Sequence, residues 1–143
     1  MDASRGLAIT WWHRLDDFER EDVREWWRDH SLPFPRREAA KQVEADLVPP
    51  GTDVEALTPT VEDFLRRWQP GWELAVDWWC AISEDDRAQI LGSLPRVLIS
   101  DHVKDSLEQA GFQIGPPITD LATSRYRLPD PVLDLVRWVA DFG

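Results

Sequence analysis

Histidine and cysteine supply many metal ligands and acid–base groups, and this chain of 143 residues contains few of them. Its three histidines, His13, His30 and His102, lie far apart, and Cys80 is its single cysteine. None of them has the short paired spacing that zinc sites use. His13 and Asp17 can share a helix face, but a zinc site needs four ligands. We therefore predict no metal and no cofactor.

Patterns for nucleophilic catalysis and phosphate binding are missing from the sequence as well. There is no Gly-x-Ser-x-Gly turn, and the seven glycines are scattered at breaks instead of being clustered in a loop. The 27 acidic residues make coincidental carboxylate pairs inevitable, so a solvated acidic face is their default explanation. The sequence thus predicts no catalytic residue and a chain that is not an enzyme.

One segment has the residue types of a nuclease site. Arg24 and His30, six positions apart in Arg-Glu-Trp-Trp-Arg-Asp-His, resemble the arginine–histidine motif of HEPN-type ribonucleases. The resemblance implies an all-helical, metal-independent ribonuclease, with His30 in acid–base chemistry and Arg24 stabilising phosphate charge. Glu25 departs from that role, since it adds negative charge where RNA phosphate would lie. This remains an alternative hypothesis.

Tryptophan and arginine offer another kind of chemistry, which is adhesion to a protein. Nine of the fifteen aromatic residues are Trp, and both residue types dominate the energetics of protein interfaces. Trp27 is about 100° from the apolar stripe of its helix, and Trp138 is at the edge of another stripe. We predict a partner-binding surface formed by Trp27, Arg24, Arg28 and Trp138.

The charge of the chain limits the partners it can have. The net charge is −11, divided into −5 for residues 1–70 and −6 for residues 71–143. Such a field repels phosphate and anionic lipid, so a protein with a basic surface is the expected partner and nucleic acid is disfavoured. Neither an N-terminal apolar leader nor a run of about 18 apolar residues is found, which predicts a cytoplasmic protein outside the membrane.

The elements that position these residues are predicted as a compact bundle of six to seven short helices in one domain, residues 1–143. The first apolar stripe, over residues 11–29, follows the helical period, and Asp16-Asp17 is a possible break in it. Other helices are expected to begin near capping residues or prolines. The stripe contains Trp11, Leu15, Phe18, Val23 and Trp26, and the later helices begin near Pro35, Thr58, Trp72, Ser83, Ser100 and Asp130.

The C-terminal half carries two further expectations. Residues 72–82 are apolar on two faces, Leu74 included, which predicts a helix at the centre of the fold. Short runs in which apolar and polar residues alternate are compatible with a small β-hairpin around residues 112–128. The order of helices 84–94 and 101–110 followed by this hairpin resembles a winged helix-turn-helix, which implies DNA contact by the later helix and by Arg125 and Arg127.

The charge of the predicted DNA-reading helix does not fit DNA binding. The helix that would read DNA contains Asp101, Asp105 and Glu108 against Lys104 alone. A DNA-reading helix normally clusters basic residues, so the winged arrangement would fit a protein-docking scaffold better. We therefore favour a non-enzymatic interaction module of the adaptor, inhibitor, immunity or antitoxin kind. A winged-helix DNA-binding protein and a HEPN-like ribonuclease are the two alternatives.

Overall fold

The computed structural model describes residues 3–32, 35–51, 57–94, 98–118 and 125–140. Within these ranges the chain forms eight helices and one two-stranded antiparallel sheet, which confirms the predicted mostly α class. The helices are α1 (Ala3–Arg14), α2 (Asp17–Arg28), α3 (Arg36–Glu44), α4 (Pro59–Arg66), α5 (Trp72–Ala81), α6 (Glu84–Gly92), α7 (Asp101–Gln109) and α8 (Asp130–Val139). The strands are β1 (Leu98–Ile99) and β2 (Tyr126–Arg127).

The chain divides into two compact units. We call Asp2–Trp68 the N-terminal unit and Gln69–Gly143 the C-terminal unit. Each has its own buried apolar side chains, and each is described by itself below. The single domain over residues 1–143 stays a prediction.

Helix α1 forms the core of the N-terminal unit by packing against α3 and α4. Adjacent residues on a helix point about 100° apart, so burying both requires cover over a wide arc. Trp11 and Trp12 are both fully buried, which shows that α1 has such cover. The Trp11 indole N–H donates to the carbonyl oxygen of Glu38 at 2.7 Å, tying α1 to α3.

The predicted break at Asp16-Asp17 is real, and it ends the first helix. The Asp16 carboxylate accepts from the backbone N–H of Glu19, and the Glu19 carboxylate accepts from the backbone N–H of Asp16, forming a capping box. The helical phase therefore restarts at α2. The single stripe over residues 11–29 was wrong for Phe18, whose side chain is 72% exposed.

The link between α3 and α4 depends on a buried amide. Gln42 is fully buried; its Nε2 donates to the Ala39 carbonyl and its Oε1 accepts from the backbone N–H of Thr58. Thr58 in turn caps α4, because its hydroxyl accepts from the backbone N–H of Val61. The predicted Thr-Pro start of this helix is confirmed.

In the C-terminal unit, α5 packs against α8. Trp72 and Trp138 approach with ring centroids 6.5 Å apart, and Trp138 is 2% exposed. The second apolar face predicted for α5 is covered only in part. Trp78 is buried, whereas Leu74 is 48% exposed.

The small sheet differs in its pairing from the expected hairpin. Residues 126–127 are extended as predicted, but they pair with β1, in the register Leu98↔Arg127 and Ile99↔Tyr126. A further bridge joins Ile118 to Arg125, so the strand partners within residues 112–128 begin at Ile118 and not at Phe112. The tips of the predicted hairpin, residues 119–124, lie outside the described residues.

The length and polarity of a helix determine whether it can span a membrane. Among the residues that the structure describes, every helix is too short or too polar to cross a bilayer.

Candidate protein-binding surface

A groove runs between α2 and the start of α3 in the N-terminal unit. Its volume is about 450 Å³, and we call it the α2–α3 groove. Helix α2 provides one wall, and the chain leading into α3 provides the other. The lining residues are Phe18, Asp22, Glu25, Trp26, Leu32, Pro35, Arg36, Arg37 and Glu38.

The apolar part of this groove is open to solvent. Phe18 is 72% exposed and Leu32 is 40% exposed, while Trp26 is half-buried. Soluble proteins expose single apolar side chains routinely, whereas exposed apolar side chains that line one groove make it a candidate binding surface. The apolar stripe predicted buried positions for Phe18 and Trp26, and Leu32 belonged to no predicted stripe. The capping signal at Asp16 could have identified Phe18, because it sets the phase of α2.

The acidic part of the groove contains a buried carboxyl group. Glu38 is 3% exposed, although glutamate is seldom buried without a partner. Burial raises the pKa of its carboxyl above the ordinary value of 4.5, and the negative charges of Asp22 and Glu19 act in the same direction. The backbone N–H of Glu38 and the nearby Arg37 oppose this shift. The groove therefore holds a carboxylate that is costly to ionise.

Glu38→Gln is expected to stabilise the folded chain at neutral pH. A raised folded-state pKa means that the contribution of Glu38 to stability is fully present below pH 4.5 and is lost as the pH rises through the folded value. Glutamine imitates the protonated acid, so the variant should gain relative to wild type above pH 4.5 and lose that advantage below it. Urea unfolding across this range measures the difference. Glu44→Gln, at an exposed position of α3, is the control and should show no such dependence; an identical profile for both variants would contradict the prediction.

The predicted residue Trp27 lies on the other side of α2. It lines a depression of about 110 Å³ with Arg24, Arg28, Leu65 and Trp68, which we call the α2–α4 depression. The structure thus brings together three of the four predicted partner-binding residues. Trp27 is half-buried, which leaves part of its ring available to a partner.

Trp138, the fourth predicted residue, is in the C-terminal unit and is almost fully buried. Its ring packs near Trp72, because α8 lies against α5. Helical spacing alone could not show this cover, which comes from another helix. The expectation of an exposed Trp138 is corrected, and it forms no part of the surface proposed below.

The two residues that resemble the ribonuclease motif are held by their own neighbours. The Arg24 guanidinium forms an ion pair with Glu21 at 3.0 Å and lies 5.9 Å from the centre of the Trp12 ring. Arg28 also reaches Glu21, at 3.2 Å, and these hydrogen bonds lower the pKa of the Glu21 carboxyl, Arg24 having the larger effect. The His30 ring stacks on Trp26 with centroids 4.4 Å apart. An RNA phosphate at Arg24 would have to displace Glu21.

The residues that resemble a winged helix have similar internal partners. Lys104 of α7 forms an ion pair with Glu108 at 3.0 Å, and the Tyr126 hydroxyl donates to Asp101 at 2.8 Å. Lys104 Nζ lies 5.0 Å from the centre of the Tyr126 ring. The basic group of α7 is therefore engaged within the unit, while Arg127 is exposed at the sheet.

In the described ranges of the chain, no group of three or more His, Cys, Asp or Glu side chains is placed to hold a metal ion. No protein-family model matches the sequence, and no curated protein or solved structure matches it either. The surfaces that flank α2 are therefore the candidate functional sites of this chain.

Proposed function

We propose that this chain is a protein-interaction module, which acts by binding a partner protein and performs no chemistry of its own. The observation that carries the proposal is the convergence of Phe18, Trp26 and Leu32 on the α2–α3 groove. Burying large apolar side chains releases about 25 cal/mol for each Å² removed from water, so a complementary surface would gain from covering them. The α2–α4 depression, with Trp27 between two arginines, adds a second aromatic contact on the same helix.

The charge of the chain supports a basic partner. Each half of the sequence is negative, and long-range attraction raises the association rate of an oppositely charged protein. An adaptor, inhibitor, immunity protein or antitoxin would each work in this way, since each acts by occupying a surface.

Site-specific photocrosslinking tests this proposal. A photoreactive phenylalanine analogue is placed at Phe18, at Leu32, or at Leu74, which is an equally apolar exposed position in the C-terminal unit. After irradiation in the native cell extract, we expect the first two positions to form adducts with the same protein and Leu74 to form none with it. Adducts from Leu74 alone, or from no position, would contradict the proposal.

A further inference from the structure

The α2–α3 groove is lined by both apolar and acidic side chains. Phe18, Trp26 and Leu32 are the apolar residues, and Asp22, Glu25 and Glu38 are the acidic ones. A surface of this composition suits a segment that carries both apolar and positively charged side chains.

Glu38 suggests where the positive charge of such a segment would bind. It is only 3% exposed, and it is one of the residues that line the groove. Among the described residues, no basic side chain lies within ion-pair distance of its carboxylate. Its acidic neighbour Glu19, by contrast, binds Lys41 at 2.6 Å. Glu38 is therefore a buried acid among the residues that line the groove, and a buried charge is costly until a counter-charge reaches it.

We propose that the α2–α3 groove binds a basic, apolar segment of a partner protein, and that a lysine or arginine of this segment forms an ion pair with Glu38. The inference rests on the proposed function and deepens it by naming the class of partner. The apolar residues of the segment cover Phe18, Trp26 and Leu32. Its cation supplies an ion-pair partner, which Glu38 does not have among the described residues, and the negative charge of Asp22, which acts on Glu38, adds to the attraction.

Other occupants fit this groove less well. A second copy of the chain would bring another strongly negative surface against the carboxylates, since the net charge is −11. An uncharged apolar segment would cover Glu38 further without neutralising it, which raises the cost of its ionised form. Arg36 and Arg37 also line the groove, but both are exposed, so solvent and salt screen their charges more than the charge of the buried Glu38.

Binding of three synthetic peptides of equal length, measured by fluorescence anisotropy with the intact chain, tests the inference. One peptide is built from leucine and lysine at helical spacing, the second from leucine and glutamate, and the third from serine and lysine. We expect the leucine–lysine peptide to bind at least about tenfold more tightly than either of the others. Equal binding of the serine–lysine peptide would show non-specific charge attraction and overturn the inference.

Two variants test whether the peptide binds in the α2–α3 groove. Glu38→Gln and Phe18→Ser should each weaken binding of the leucine–lysine peptide by about tenfold or more. Glu44→Gln removes an exposed charge from the same helix, and Leu74→Ser removes an exposed leucine from the C-terminal unit; both should bind as wild type does. Glu38→Gln is expected to fold, because it removes a buried charge without changing the shape of the side chain.

The outcomes separate this inference from the proposed function. If Phe18→Ser weakens binding and Glu38→Gln does not, the groove binds an apolar segment without the ion pair, and the inference fails while the interaction module stands. If the leucine–lysine peptide does not bind, the basic class of partner is wrong; the crosslinks from Phe18 and Leu32 then decide the proposed function independently.

Discussion

Replacing Trp12 with alanine should lower the free energy of unfolding of the N-terminal unit by about 3–5 kcal/mol, the usual cost of truncating a buried tryptophan. The ring is fully buried, and its centroid lies 4.9 Å from that of Trp68 and 5.9 Å from that of Phe64. The guanidinium groups of Arg20 and Arg24 lie 5.6 and 5.9 Å from it. Alanine would leave a cavity where α1, α2 and α4 all contribute side chains.

Trp12→Phe is the matched control for this prediction. Phenylalanine keeps much of the apolar volume, and it loses no hydrogen bond, because the Trp12 Nε1 has no acceptor among the described residues. We expect it to cost less than half as much as alanine. Urea unfolding followed by far-ultraviolet circular dichroism measures both variants. A loss below about 1 kcal/mol for Trp12→Ala would mean that the aromatic cluster is not the core of this unit.

Glu19→Ala should have the second largest effect, about 2–3 kcal/mol, because Glu19 belongs to two interactions at once. It completes the capping box of α2, and its carboxylate binds Lys41 of α3 at 2.6 Å. Lys41 is partly exposed and can turn its charge towards water, so the loss should fall short of the 3–5 kcal/mol typical of a fully buried pair.

Asp16→Ala tests the other hydrogen bond of the capping box. It removes the carboxylate that accepts from the Glu19 backbone N–H and keeps both contacts of the Glu19 carboxylate, so it should cost about 1 kcal/mol. Thermal or urea unfolding of both variants gives the comparison. If Glu19→Ala costs no more than Asp16→Ala, the two contacts of the Glu19 carboxylate together contribute no more than one capping hydrogen bond, and the ion pair with Lys41 does not hold α2 and α3 together.

Local signals predicted the helices of this chain well. Thr58 and Ser83 cap α4 and α6 through side-chain hydrogen bonds, as their residue types indicate. Gly111, which follows α7 closely, has a left-handed φ of 107°, the conformation typical of a glycine that ends a helix. Each of these features depends on residues within one turn of each other, which the sequence displays directly.

One error arose at a local break, and two arose where a neighbouring element determines burial. Phe18 was misplaced because the capping box at Asp16 restarts the helical phase at α2. Leu74 fits an apolar stripe, but the surface of a helix is buried only where another element covers it, and a stripe does not show which part is covered. Trp138 is the reverse case, since α5 covers a residue at the edge of its stripe. The exposed positions were consequently the least predictable from the sequence.

The candidate surface was predicted in part. Trp27, Arg24 and Arg28 do lie together, because residues three and four apart share a helix face. The α2–α3 groove was not predicted, because it forms only where α2 lies beside the segment that leads into α3. The sequence does not show that Leu32 and Glu38 line a groove with residues of α2. The burial of Glu38 could not be predicted either, because its sequence context does not distinguish it from the exposed acidic residues.

We propose that the exposed apolar residues of the α2–α3 groove hold a partner protein. The dissociation constant between the chain and the protein crosslinked at Phe18, compared for wild type, Phe18→Ser and Leu74→Ser, tests this directly. We expect Phe18→Ser to raise this constant by about tenfold or more, as loss of an interface anchor does, and Leu74→Ser to leave it unchanged. Equal constants for wild type and Phe18→Ser would contradict it.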